Sequence, residues 1–226
     1  MAEPDSRCFV LTEEHLGAAR EVAANFVGDH GPETLAAHHA TYPGLAIGLS
    51  VDGTLVGLAF GHPNSHGGVT LEAIAVDHAY SGHGLGSALL ARFEQAAAEG
   101  GYDNVSLGPA PGYVEHFYRK NGYEQIEYMV VIPDGDRRNL DLDGLEILRE
   151  RHWQHDDHDD LVLNIAAPEG YSPAVKAALA ARLQDPVISC IFRKPITPIA
   201  PIASKTPIVP ETSGASGRGA GRPAGG

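Results

Sequence analysis

Between residues 81 and 89 the chain reads Ser81-Gly82-His83-Gly84-Leu85-Gly86-Ser87-Ala88-Leu89, with glycines at three alternate positions behind the apolar run Leu71 to Val76. A strand entering such a turn and a helix leaving it would make an anion cradle. Glycine lets the backbone bend tightly and bring its N–H groups close to a ligand, and the helix start adds partial positive charge. Phosphate is the expected guest, although the same turn without a ligand would simply permit close strand–helix packing. Two familiar phosphate motifs fail on spacing. A dinucleotide fingerprint G-x-G-x-x-G would need glycine where Ser87 or Leu89 stands, and a P-loop would need a lysine that the turn lacks.

About thirty residues on, Tyr113-Val114-Glu115-His116-Phe117-Tyr118-Arg119-Lys120-Asn121-Gly122-Tyr123 reads as an amphipathic helix. Val114, Phe117 and Tyr118 recur at three-to-four-residue spacing, and Gly122 supplies the stop. Taken alone, it would be an ordinary core helix.

In this order and at this distance the two segments resemble the GNAT superfamily of N-acetyltransferases. The run Ala75-Val76-Asp77-His78-Ala79-Tyr80-Ser81-Gly82-His83-Gly84-Leu85-Gly86 is similar to that family's pyrophosphate loop, Arg/Gln-x-x-Gly-x-Gly/Ala after a strand. The second segment is similar to its FYxKxGF motif. Ser81 replaces the usual Arg or Gln, His78 stands where Pro is common, and Pro109-Ala110-Pro111-Gly112 fills the place of a frequent Asn.

The resemblance implies acetyl-CoA as co-substrate. Its pyrophosphate would lie on Ser81, Gly82, His83, Gly84, Leu85, Gly86 and Ser87, held mainly by backbone amides. Its pantetheine arm would pair with the backbone of Ile74, Ala75 and Val76 like an added strand. Tyr118 occupies the position of the family's general acid, and Glu72 a position where some members place a carboxylate base. Acyl transfer to an amine needs both, because the amine must be neutral to attack and the departing thiolate must gain a proton. Direct attack requires no covalent intermediate, and Cys8 and Cys190 sit in strand-like runs without a nucleophile's surroundings. Strict alternation places Glu72 on one face with Ile74 and Val76, opposite Leu71 and Ala73. A carboxylate buried there would have a perturbed pKa; a salt-bridged or edge-exposed Glu72 is the alternative. His116 is a fallback base, better read as exposed. Two other functions stay open: a non-catalytic acyl-CoA-binding regulatory module, and an acyltransferase with a different acyl donor or an O-linked acceptor.

The elements that must position these residues follow from pattern. Cys8 to Thr12 reads as a strand, and Thr12 caps a helix through about Phe26. A second helix spans about Pro32 to Tyr42. Leu45–Val51 and Leu55–His62 form a hairpin about Asp52-Gly53. The strand Val69–Val76, the glycine turn, a helix to about Gly100, the strand Val105–Leu107, the Tyr118 helix and the strand Tyr123–Ile132 complete β-α-α-β-β-β-α-β-α-β. The fold class is therefore α/β, a mixed α+β sheet of GNAT-like acyltransferase type over residues 8–132, extending to about 166 if Leu161–Ala166 supplies its last strand. Otherwise residues 133–193 form a small ββαβ-type extension, with Leu145–Trp153 fitting either period, Ser172 capping a helix and Val187–Arg193 a strand. Residues 194–226, rich in Pro, Gly and Ser, read as a disordered tail.

Composition narrows the partners. A net charge of −13 over 226 residues excludes a general nucleic-acid role, which needs clustered Lys and Arg. It favours a cationic, amine-bearing acceptor, either a small molecule or a peptide. No apolar run reaches membrane-spanning length and no segment resembles a signal peptide, so no membrane association and a cytoplasmic location are expected. A homodimer is compatible with the chain. No metal is expected. The stretch from His152 to Asp160, rich in His and Asp, reads as a solvated hairpin tip rather than a ligand set. His38, His39, His62 and His66 read as surface or loop positions.

Overall fold

The computed structural model describes residues 5–28, 31–107, 114–133, 140–154, 159–183 and 186–199. One mixed sheet of nine strands carries the fold. The strands are β1 (Ser6–Val10), β2 (Ala46–Val51), β3 (Thr54–Pro63), β4 (Val69–Val76), β5 (Asn104–Leu107), β6 (Glu124–Ile132), β7 (Ile147–Gln154), β8 (Asp159–Ala166) and β9 (Val187–Pro195). Their order across the sheet is β1-β2-β3-β4-β5-β9-β6-β8-β7. Among the described strands only β4 and β5 run parallel, joined by the crossover helix that parallel neighbours require.

The α-helices among the described residues are α1 (Leu16–Phe26), α2 (Gly31–Thr41), α3 (Leu85–Glu99), α4 (Glu115–Lys120) and α5 (Pro173–Arg182). Apolar stripes dictate their placement. Ala19, Val22, Ala23 and Leu35 of α1 and α2 pack with Ala46, Leu58 and Phe60 on one face of the sheet. Leu89, Leu90 and Phe93 of α3, Tyr118 of α4 and Leu179 of α5 share a second, larger core on the other face. The hairpin between β2 and β3 turns where both central residues take positive φ, +49° at Asp52 and +82° at Gly53, as a tight primed turn demands.

The C-terminal ββαβ order is present as β7-β8-α5-β9, but it builds no separate sheet. β8 pairs with β6 and β7 caps that edge, while β9 inserts between β5 and β6. Leu161–Ala166 therefore does extend the main sheet, and Leu145–Trp153 resolves mostly as strand. The tail boundary also moves. Lys194 and Pro195 belong to β9, and the Ile196 and Ile199 N–H groups donate to the Asp103 and Ala98 carbonyls at 2.8 and 2.9 Å. The disorder expected further on lies outside the described residues. None of the described helices is long and apolar enough to cross a membrane.

Candidate active site

The β4–β5 pair opens in the middle of the sheet. It is registered only from Val69 with Val105 to Leu71 with Leu107. Beyond that point β4 continues to Val76, paired with β3 alone. Ile74, Ala75 and Val76 lie on this one-sided stretch, and they are half-exposed where a central strand would ordinarily be buried. Among the described residues their peptide edge toward β5 has no strand partner, and an edge of that kind can take an extended ligand.

At the end of that stretch the chain enters the glycine turn. The Asp77 carboxylate accepts from Ala79 N–H at 2.9 Å and starts a single 3-10 turn over His78–Tyr80. Gly82 and Gly84 follow at φ +81° and +77°, a left-handed backbone that glycine adopts without strain. Gly84 caps α3. The first helical N–H to find a partner is that of Ala88, donating to Gly84 O at 3.1 Å. The N–H groups from Gly82 to Ser87 make no backbone hydrogen bond among the described residues, and no atom lies within 4 Å of where a Cβ would stand on Gly82 or Gly84. A set of orphan donors around open space at a fifteen-residue helix's start fits a pyrophosphate. Ser81 and His83 are exposed at its rim, and the His83 ring nitrogen Nδ1 lies 3.3 Å from Tyr80 O.

Tyr118 is reached through Phe117. The Phe117 ring packs against the first turn of α3 at Gly86, and 5.1 Å separates the centroids of Phe117 and Tyr118. Tyr118 is 8% exposed, with Tyr123 and Phe192 against its ring. His116 points to solvent. Glu115, beside it, is buried instead, accepting from Lys176 Nζ at 2.8 Å and Cys190 Sγ at 3.1 Å. Burial and Glu115 push the Cys190 thiol up to about 12, so it is no nucleophile.

Glu72 is where the alternation argument fails. The β3–β4 register steps from Phe60–Ala73 to Gly61–Leu71, so Glu72 is the extra residue of a β-bulge. The bulge reverses the faces: Leu71 and Ile74 pack into the larger core while Ala73 packs with Leu58 and Phe60 beneath α1 and α2. Glu72 thus does not share the face of Ile74 and Val76. Gly61 stands opposite, where a Cβ would collide with the Thr70 carbonyl and the Phe93 ring.

Two histidines that the sequence offered only as surface or loop residues meet Glu72 at the bulge. His62 Nε2 lies 3.7 Å from Glu72 Oε2, and the His38 ring from α2 stands 5.2 Å from that of His62. The His62 imidazole beside it outweighs burial and holds the Glu72 carboxyl below the usual range, although the Glu72 side chain stays 44% exposed. Burial, followed by the neighbouring His62, pushes His38 down. His39 is buried and its Nε2 lies 3.2 Å from Leu11 O, a structural contact. No group of three or more potential metal ligands occurs among the described residues. His152 Nδ1 lies 3.1 Å from Asp159 Oδ1 across the β7–β8 hairpin, and residues 155–158 lie outside the described residues.

The profile of the Acetyltransferase (GNAT) family matches residues 13–123, a span that runs from the turn before α1 to the residue after Gly122. The chain belongs to the GNAT acetyltransferase family. Among solved structures, the GCN5-related N-acetyltransferase from Kribbella flavida aligns with this GNAT protein at a TM-score of 0.52 and 15% identity, over 84% of this chain and 71% of that one. At that identity the likeness speaks for the fold. The ribosomal-protein-S18-alanine N-acetyltransferase from Escherichia coli aligns at 0.49 and 19%, over 74% and 96% of the chains. YhbS from Escherichia coli, solved with CoA, aligns at 0.47 and 20%, over 55% and 71%. No curated protein matches this GNAT chain.

Proposed function

We propose that the protein is an N-acetyltransferase that passes the acetyl group of acetyl-CoA to a primary amine by direct attack. The observation that carries this reading is the continuity of two features: the β4 edge at Ile74–Val76 and the N–H groups of Gly82–Ser87, which have no backbone partner among the described residues, follow one another along the chain. An extended arm ending in a pyrophosphate matches both at once.

Acetyl-CoA would supply an activated thioester. Around it, the chain's own groups divide the work. Peptide groups of Ile74, Ala75 and Val76 orient the arm and polarise the thioester carbonyl. Backbone N–H groups from Gly82 to Ser87 hold the phosphates without a cationic side chain at Ser81. Glu72, displaced by the bulge onto the α1–α2 face, takes the amine's proton directly or through one water. Tyr118 returns a proton to the departing sulfur. The protein's negative charge draws a cationic acceptor toward the site.

Thiol release from acetyl-CoA, followed across a panel of small amines and peptides, tests the reading. Turnover with one or more amines and none with matched alcohols supports it. CoA binding without thiol release for any acceptor would make the chain an acyl-CoA-binding module instead.

A further inference from the structure

The bulge that displaces Glu72 also gathers a cluster with its own chemistry. His62 Nδ1 lies 3.0 Å from the carbonyl oxygen of Pro63. A carbonyl only accepts, so Nδ1 carries the hydrogen and Nε2 is the basic nitrogen of the neutral ring. That nitrogen faces Glu72 Oε2 at 3.7 Å. A lone pair opposed to a carboxylate is repulsive, whereas an imidazolium in the same place is attracted to it, so the pair gains one proton favourably.

The surroundings limit it to one. From α2 the His38 ring stands edge-on to His62 with 78° between the planes, and its Nδ1 is buried with no hydrogen-bond partner among the described residues. Burial, followed by the adjacent His62, lowers the proton affinity of that ring. Phe60 closes the far side of His38. At the β3–β4 turn, Asn64 Nδ2 donates to Ser106 Oγ at 3.1 Å and lies 3.5 Å from Thr70 Oγ1, and the one titratable side chain of that turn, His66, is exposed. Both His62 and Glu72 remain open to solvent, at 26% and 44% of their side chains.

We propose that His62 and Glu72 form one proton-accepting pair, with His62 as the positioning partner that finally holds the proton. The inference rests on the reading of Glu72 as the base. The N–H bond of the acceptor's ammonium breaks toward a Glu72 carboxylate oxygen, the proton moves on to His62 Nε2, and the imidazolium later releases it to water. The carboxylate is thereby restored for the next turnover, and no other reactant is needed.

Histidine imidazole NMR titration of the full chain tests the pairing without any acceptor. In Glu72→Gln the His62 pKa is expected to fall by about one unit or more, with the fold checked by circular dichroism; an unchanged His62 titration would overturn the proposal. The role is read from kcat/KM against pH. In wild type the competent state has His62 neutral, so the acid limb belongs to the pair's first proton. In His62→Gln the limb should move down toward the carboxylate range and kcat should drop about tenfold, with KM for acetyl-CoA unchanged. If Glu72 acts alone, losing the neighbouring imidazole that lowers its pKa moves the limb up, and that result rejects the relay. Should no amine be acetylated, the acetyltransferase reading fails, while the titration still decides whether the pair exists.

Discussion

Gly86 in the first turn of α3 lies against Phe117 of α4: a Cβ placed on Gly86 would stand 3.4 Å from Phe117 Cε2. The two sequence motifs are thereby in contact, since the glycine turn's helix and the helix carrying Tyr118 touch through this pair.

That contact and the backbone of the turn separate two kinds of glycine. Gly84 has open space around it but a φ of +77°, so Gly84→Ala incurs about 1 kcal/mol of left-handed strain. Relief of that strain would turn the cap N–H groups aside, and CoA affinity by calorimetry should fall roughly five- to tenfold. Gly86→Val should weaken CoA binding as well, by pushing on Phe117, and should lower the melting temperature through overpacking. Ser81→Ala should leave affinity within about twofold, because backbone amides rather than the side chain do the holding.

Tyr118→Phe keeps the ring that Phe117, Tyr123 and Phe192 surround. The expected result is a fall in kcat of about a hundredfold, in the range of a lost general acid, with CoA affinity nearly unchanged. Equal losses of both would assign Tyr118 to packing alone.

Glu115 is 5% exposed and bound to Lys176 and Cys190. Burial alone would raise its pKa, but hydrogen bonds from Lys176, Tyr171 and Cys190 outweigh it and hold the carboxyl below its ordinary 4.5. A carboxyl lowered on folding contributes stability that is complete above that ordinary value and is lost as pH falls through the lower folded value. Urea unfolding should therefore show an acid-side loss of stability that shrinks in Glu115→Gln. Lys176→Met strands the buried carboxylate and should cost about 3 kcal/mol at pH 7.

The end of β9 is held by Lys194 and its neighbours. Lys194 Nζ lies 2.7 Å from Glu94 Oε2 and sits over the Tyr123 ring. A chain ending at Ile199 should melt and turn over like the full protein. Ending it at Arg193 removes that ion pair, the last two residues of β9 and the Ile196 N–H bonded to the Asp103 carbonyl, and differential scanning calorimetry should show a clearly lower melting temperature.

The glycine turn, the Tyr118 helix and the order of elements were legible because each is written in local residues: Gly at positive φ, apolar spacing, Gly122 as a stop. The face of Glu72 was not. A bulge adds one residue to one strand, and nothing in Leu71-Glu72-Ala73-Ile74 marks where alternation breaks; the signal lies across the register, in Gly61, which alone fits against Thr70 and Phe93. His38 and His62 were hidden for the same reason, since twenty-odd residues separate them and only the packing of α2 on β3 brings them to Glu72. The placement of β9 between β5 and β6 is likewise a long-range pairing that strand pattern does not encode.

The most direct measurement is steady-state thiol release from acetyl-CoA with an amine panel, run on wild type and on Glu72→Gln and checked by mass spectrometry of the product. The account predicts an N-acetylated amine, and a loss of kcat of at least about a hundredfold in the variant with CoA affinity retained. Undiminished turnover in Glu72→Gln, or CoA binding with no acetylated amine from any acceptor, would contradict it.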